Sequence, residues 1–249
     1  MIMLKGVDVF HSENLVKKYN DKVVVNDVSI DVKKGEVVGL LGPNGAGKTT
    51  VFYMMVGMER PTSGEVFIND ANITKKTLWQ RANMGVGYLT QDRSVFLDLT
   101  VEENILLPLE IRGYGRNTRE ERLRGLLKEF DLENISKLLG SRISGGQRRR
   151  LELARLLAIE PSFILLDEPF AGVDPVAIAA IQDLIRSLSK KGIGVLITDH
   201  NVMETLSIVD RAYLLYNGGI ICAGEPTDIA NNKQVREVYL GRNFEIRKH

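Results

Sequence analysis

The sequence predicts an α/β fold around a parallel sheet, and three observations carry that expectation. An apolar run, VVGLL, leads into the spacing G-x-x-x-x-G-K-T from Gly42 to Thr49; a second apolar run, FILLDE, closes on the carboxylates of Asp167 and Glu168; and strand-like and helix-like segments alternate over much of the 249 residues. The first two are strand ends of the kind that hold phosphate and a cation.

From Val7 to Leu41 the chain reads as short strands around VDVF, ENLVKKY, KVVVNDVSIDV and EVVGLL, separated by turns at Asn20-Asp21 and Lys34-Gly35. They form an expected antiparallel layer feeding the glycine-rich loop. After the loop come an apolar helix, TTVFYMMVGM, turn signals at Pro61, Ser63 and Gly64, and strands at EVFIND and VGYL. From about Val101 to Glu160 helical spacing takes over in VEENILLPLEIRG, TREERLRGLLKEFDL and GGQRRRLELARLLAIE, a mainly helical insertion in one α/β core. The Arg and Glu residues of its middle segment recur at helical spacing, the pattern of a solvated face. Strand FILLD, helix VAIAAIQDLIRSL, strand GVLIT and a hairpin of RAYLLY and GIICAG around Asn217-Gly218-Gly219 complete the core. The expected boundaries are a core at about 1–98 and 161–240, a helical subdomain at about 99–160 and a short tail at 241–249.

Thirty-three basic and 32 acidic residues leave a formal net charge of +1, so no bulk field recruits nucleic acid, and none is expected as a partner. No apolar run reaches the roughly 18 residues of a membrane-spanning helix, and the N-terminus lacks the apolar stretch of a secretion signal. A cytoplasmic location without membrane insertion is expected, with any membrane role exercised by docking onto another protein. The single cysteine, Cys222, excludes an intramolecular disulfide and reads as a small, partly buried side chain.

Chemistry concentrates at three places. In the loop Gly42-Pro43-Asn44-Gly45-Ala46-Gly47-Lys48-Thr49-Thr50 the glycines let backbone N–H groups turn toward phosphates, Lys48 brings a cation to the β and γ oxygens, and Thr49 offers a hydroxyl to Mg²⁺. The helix beginning near Gly47 adds its positive end. At the second place, Asp167 is suited to hold Mg²⁺ and Glu168 to orient or deprotonate an attacking water. The third is Ser144-Gly145-Gly146-Gln147, which opens an amphipathic helix and reads either as a second anion site or as ordinary capping by Ser144. On residue type alone, His200 reads as a surface histidine and Tyr19 as an edge-strand aromatic.

The chain resembles the ATP-binding subunits of ATP-binding-cassette (ABC) transporters. The loop at Gly42 to Thr49, a glutamine loop at Tyr88-Leu89-Thr90-Gln91, a signature at Ser144 to Gln147, the Asp167-Glu168 pair, Ala171-Gly172-Val173-Asp174 and Thr198-Asp199-His200 occur in that family's order across most of the chain. Thr90 stands where a proline is usual, and Ile143 replaces the usual leucine before the signature serine. The resemblance implies a P-loop ATPase fold with a RecA-like core, an N-terminal antiparallel β-subdomain and an inserted helical subdomain. It further implies ATP and Mg²⁺ as cofactors, and a head-to-tail homodimer in which ATP lies between the phosphate loop of one copy and the Ser144 signature of the other. Catalysis would fall to Glu168, His200, Lys48 and Gln91, with Gln91 also in the Mg²⁺ shell; Tyr19 would stack on adenine, and Asp174 would sit at the dimer interface.

Within that family the chain looks most like the ATPases of lipopolysaccharide export, through GLLGPNGAGKTTVFYMMVG, GVGYLTQDRSVF, FILLDEPFAGVDP, GVLITDHNVMETL and the closing VYLGRNF. This implies two transmembrane permease subunits as partners and a peripheral position on the cytoplasmic face of the inner membrane. A groove between the glutamine loop and the helical lobe would receive them, with Phe96 in Ser94-Val95-Phe96-Leu97 as anchor; the alternative for Phe96 is a core side chain. The ATPases of branched-chain amino-acid importers share the Asp199-His200-Asn201 turn and parts of the pattern. A DNA-repair ATPase is disfavoured by the shortness of the helical insertion, and a non-hydrolytic binding module by the complete set of Asp167, Glu168 and His200.

Overall fold

Two sheets meet across a shared apolar layer in the computed structural model, which describes residues 9–92 and 94–241, the side chains of Pro175 and Val176 apart. The first sheet is antiparallel: β1 (Val9–Tyr19), β2 (Lys22–Lys33), β4 (Ser63–Ile68) and β5 (Ala71–Asn72), in the order β2-β1-β4-β5. The second holds β3 (Val37–Leu41), β6 (Val86–Leu89), β7 (Phe163–Asp167), β8 (Gly194–Thr198), β9 (Arg211–Tyr216) and β10 (Gly219–Gly224), in the order β10-β9-β3-β8-β7-β6. All are parallel except β10, which returns antiparallel beside β9.

The central strands are buried along their whole length, as expected for a parallel sheet covered on both faces. Their side chains alternate between two cores. Val38, Leu40, Phe163, Leu165 and Leu196 face the layer shared with the antiparallel sheet and with α1 (Lys48–Val56). Val37, Leu41, Ile164, Leu166, Val195 and Ile197 face the helices of the other side. Those include α3 (Val101–Ile111), α4 (Arg116–Glu129), α5 (Gly145–Leu157) and α6 (Pro175–Lys190). Burial of Ile181, Ile185 and Leu188 on α6 follows helical spacing.

The stretches VDVF and ENLVKKY do not form two strands; as far as described they form one, β1, in which Asn14 takes φ 48°. Asn14 Nδ2 donates to Asp27 Oδ1 at 2.7 Å, and Asp27 has φ 55°, so the polar residues that read as a break form a local irregularity in a continuous β1–β2 pairing. Val7 and Asp8 of VDVF lie outside the described residues, as do 242–244 of the closing VYLGRNF and the tail beyond. Short helices without an expected counterpart include α2 (Leu78–Asn83), α7 (Val202–Leu206) and α8 (Pro226–Asn231). Each is only one or two turns long, too short for apolar periodicity to declare it.

Arg81 on α2 is fully buried and donates to the carbonyls of Met54 and Thr74 at 2.8 and 2.9 Å and to those of Met55 and Lys76. Met54 and Met55 belong to the last turn of α1, whose carbonyls lack helical partners, so α2 closes the helix that carries the phosphate loop.

Candidate functional site

The loop between β3 and α1 is shaped by backbone that only glycine adopts freely. A side chain on Gly42 would run into the carbonyl of Leu215, and Gly47, at φ 107°, would place a Cβ 2.8 Å from the carbonyl of Val24. The loop is tied to the β9–β10 turn, where the Gly218 N–H donates to the Ala46 carbonyl at 3.1 Å. Asn44, Gly45, Gly47, Lys48, Thr49 and Thr50 line a cavity of about 340 Å³ whose far wall is Asp167 and Glu168. Pro43 and Ala46 shape the loop instead, the Ala46 N–H donating to the Pro43 carbonyl at 3.2 Å. Lys48 Nζ donates to the carbonyls of Gly42 and Pro43 at 2.8 and 3.0 Å. Its pKa is lowered by burial, against the pull of the Glu168, Asp167 and Asp199 carboxylates.

Strand β7 delivers the two carboxylates to different surroundings. Asp167 is buried and accepts a hydrogen bond from the Tyr88 hydroxyl at 3.3 Å on Oδ2. Burial pushes its carboxyl up to about 6, with the nearby Glu168 charge adding to the rise and the Tyr88 bond opposing it. Glu168 follows at φ 49°, a left-handed conformation unusual for a residue with a side chain, and its N–H donates to the Thr198 carbonyl at 2.7 Å. Gln91 Nε2 donates to Glu168 Oε2 at 2.8 Å, and His200 Nδ1 stands 3.5 Å from the same oxygen. Three residues from three loops therefore meet at one carboxylate oxygen. Asp199 is buried and accepts the N–H groups of Phe170 and Asn201, fixing the turn that presents His200; burial raises its pKa.

The helix α5 opens with a capping box: Ser144 Oγ accepts the Gln147 N–H at 3.3 Å, and Gln147 Oε1 accepts the Ser144 N–H at 2.9 Å. Both readings of the serine persist, since Ser144, Gly146, Gln147 and Asp174 also border a second cavity of about 290 Å³. Asp174 caps α6 through Ala177 N–H at 3.0 Å. Gly145 borders a third cavity with Gln91 and Glu168, which joins the signature helix to the carboxylate pair.

That junction rests on residues the sequence reading passed over. Arg149 and Glu152 form a buried ion pair at 2.9 Å, and Arg149 also donates to the carbonyls of Asp167, Glu168 and Pro169. Glu152 Oε1 accepts the Ser94 N–H of the glutamine loop at 3.0 Å. Within the run RRR, Arg149 is buried, but Arg150 stands at helical spacing from the buried Leu153 and Ala154 as well, so spacing alone does not single out Arg149.

The structure does not bring Tyr19 to the phosphate cavity. It is 44% exposed at the end of β1, with its hydroxyl donating to Glu59 Oε2 at 3.2 Å and Lys17 Nζ 4.9 Å from the ring centroid. Phe96 is not a core side chain: it is 45% exposed and stacks under the Arg155 guanidinium at 4.6 Å. Of the departures from the family pattern, Thr90 closes its turn by donating to the Asp92 carbonyl at 2.8 Å, and Ile143 is buried in the helical core.

A magnesium ion matches the donors present. Thr49 and Asp167 border the phosphate cavity, Gln91 contacts the carboxylate beside it, and all offer oxygen. Among the described residues there is no cluster of three or more His, Cys, Asp or Glu side chains that could hold a metal ion.

The family model for ABC transporters matches residues 25–171. The chain is 52% identical to the lipopolysaccharide export system ATP-binding protein LptB of Acidithiobacillus ferridurans, over 96% of this chain and 99% of that protein. It is 28% identical, with a TM-score of 0.85, to an ATP-binding cassette of an ABC transporter solved in its ADP conformation, over 95% of this chain and 100% of that one. A dimeric, post-hydrolysis ATP-binding cassette bound to ADP and Pi superposes with a TM-score of 0.76 at 27% identity, over 87% of this chain and 98% of that one. No helix among the described residues is long and apolar enough to cross a membrane. The nucleotide-type cavity, the paired carboxylates, the fold and these likenesses agree: the chain belongs to the ABC transporter family, as one of its ATP-binding, ATP-hydrolysing proteins.

Proposed function

We propose that this ATPase powers the extraction of lipopolysaccharide from the inner membrane, working as a homodimer on the cytoplasmic face beneath two transmembrane permease subunits. The meeting of Gln91 and His200 at Glu168 Oε2, across the cavity from Lys48, is the observation that carries the hydrolytic part. The 52% identity to the lipopolysaccharide export protein over nearly its whole length supports the cargo.

Lys48 exchanges its two carbonyl partners for β- and γ-phosphate oxygens, and the N–H groups of Gly45 to Thr49 surround them. Glu168 accepts a proton from the attacking water, while His200 holds that water in line with the γ-phosphorus. Thr49, Gln91 and Asp167 would hold Mg²⁺, which when bound neutralises phosphate charge. Ser144, Gly145 and Gly146 of the second copy close over the γ-phosphate with the positive end of α5. Tyr19 is left to adenine at the outer rim, which requires its ring to be reached from the face away from Lys17. Asp174, capping α6 beside the signature, relays closure between the two sites. Phe96 anchors the permease segment.

The test is purification of the tagged protein from mildly solubilised native membranes, with identification of its companions. Two membrane subunits with a large periplasmic domain are expected. Permeases accompanied by a second cassette ATPase and an amino-acid receptor would reassign the cargo, and the absence of any membrane companion would sink the transport role.

A further inference from the structure

Gln91 is the link between partner groove and nucleotide that the sequence pattern singles out, yet a second side chain connects the same two places. Tyr88 lies on β6, the edge strand of the parallel sheet, three residues before Gln91. A cavity of about 210 Å³ opens beside that edge, walled by Tyr88, Ser94, Pro108, Glu152 and Arg155, in the groove where Phe96 and the helical lobe meet. On the other side the Tyr88 hydroxyl donates to Asp167 Oδ2 at 3.3 Å. Its ring stands edge-on to Tyr53 of α1, with centroids 6.4 Å apart and planes at 87°, so it is held against the helix that carries the phosphate loop.

We propose that Tyr88 is a positioning residue for Asp167 and a second coupling element, through which the groove beside β6 acts on the carboxylate that holds the cation. This rests on the assignment of Asp167 to Mg²⁺. The hydroxyl engages Oδ2 and fixes the rotation of the carboxylate about its Cβ–Cγ bond, and so the direction in which Asp167 would present its oxygens to a cation. A segment seated in the groove bears on the edge strand, and a small displacement of β6 moves the hydroxyl relative to Asp167. Gln91 acts on Glu168 and Tyr88 on Asp167, so the groove addresses both carboxylates of the pair by separate contacts.

Tyr88→Phe removes one oxygen and retains the ring that packs on Tyr53. Binding of Mn²⁺ in the presence of ATP, followed by electron paramagnetic resonance, should weaken about tenfold, while ATP binding in excess chelator stays unchanged. Mn²⁺ titrations superimposable on wild type would overturn the positioning role. Asp167→Asn, run in parallel, separates the two assignments: wild-type Mn²⁺ affinity in that variant refutes Asp167 as the cation ligand, whereas weakened affinity there with none in Tyr88→Phe refutes Tyr88 alone. Coupling is tested by repeating the titration on the complex with its membrane subunits. The subunits should shift Mn²⁺ affinity in wild type and not in Tyr88→Phe; an equal shift in both, or none in wild type, would overturn it. Should Tyr88→Phe fail to fold, Tyr53→Phe, which keeps both rings packed and removes the hydroxyl bonded to that of Tyr88, should shift Mn²⁺ affinity away from wild type, and a titration superimposable on wild type would overturn the positioning role.

Discussion

Glu168 combines a strained backbone with two close polar neighbours at its carboxylate, and each feature serves the same end. The left-handed turn lifts its carboxylate off the strand axis toward the phosphate cavity, where Gln91 and His200 meet it. Glu168→Gln keeps the shape and removes the base, so steady-state turnover should fall by about 100-fold or more while ATP binding persists, as read by a filter-binding assay beside a phosphate-release assay. Asp167 behaves differently. Its carboxyl stays protonated up to about pH 6 in the folded chain, whereas the ordinary aspartate value is 3.8. Between those values the folded state binds the extra proton, and the stability of the nucleotide-free protein falls as pH rises through the window. Asp167→Asn removes the buried charge and should stabilise the nucleotide-free protein at pH 7 by on the order of 2 kcal/mol, seen as a higher melting temperature, with loss of cation-dependent turnover. At this scale the phosphate loop and the carboxylate pair were legible because glycine spacing and strand-end acids carry their chemistry in local order. Tyr88, Arg149 and Glu152 were not, because their partners lie 79, 18 and 58 residues away along the chain.

Helix α5 bears two loads that substitution can separate. Its serine satisfies the capping box and faces the cavity shared with Asp174, so Ser144→Ala should cost about 1 kcal/mol of stability in chemical denaturation and also impair the closed dimer. Aspartate caps equally well but sets a negative charge where phosphate is expected; Ser144→Asp should therefore retain wild-type stability and still lose ATP-dependent dimerisation. Equal ATP-driven dimerisation in wild type and Ser144→Asp would remove the serine from the nucleotide site. Further along the helix, Arg155 stacks over Phe96 at the lobe surface. Phe96→Ala should leave the unfolding free energy within about 0.5 kcal/mol of wild type and weaken co-purification of the membrane subunits. The long helices α3 to α6 were legible from their apolar spacing, whereas α2, α7 and α8 were hidden by their brevity. Asn14 and Asp27 misled for the opposite reason: they are turn-forming residues used inside a continuous pair of strands.

At the scale of the whole molecule, the phosphate cavity and the Ser144 cavity are separate on a single chain. In the proposed dimer one copy would supply the loop and the carboxylates for a nucleotide, and the signature for a nucleotide held by the other copy. The alternating βαβ order of the core predicts the parallel sheet from sequence alone, because each right-handed crossover leaves few choices of neighbour. Contact between the helical lobe and the glutamine loop was legible only through the family resemblance, since the bonds that join them, Glu152 to the Ser94 N–H and Arg149 to the Thr90 carbonyl, span 58 and 59 residues. The most direct measurement of the central claim is the mass of the Glu168→Gln protein by light scattering with ATP and Mg²⁺, with bound nucleotide counted after gel filtration. A dimer carrying two ATP molecules is expected, dissociating to monomers when ATP is withdrawn; a monomer with ATP bound at its phosphate loop would contradict it.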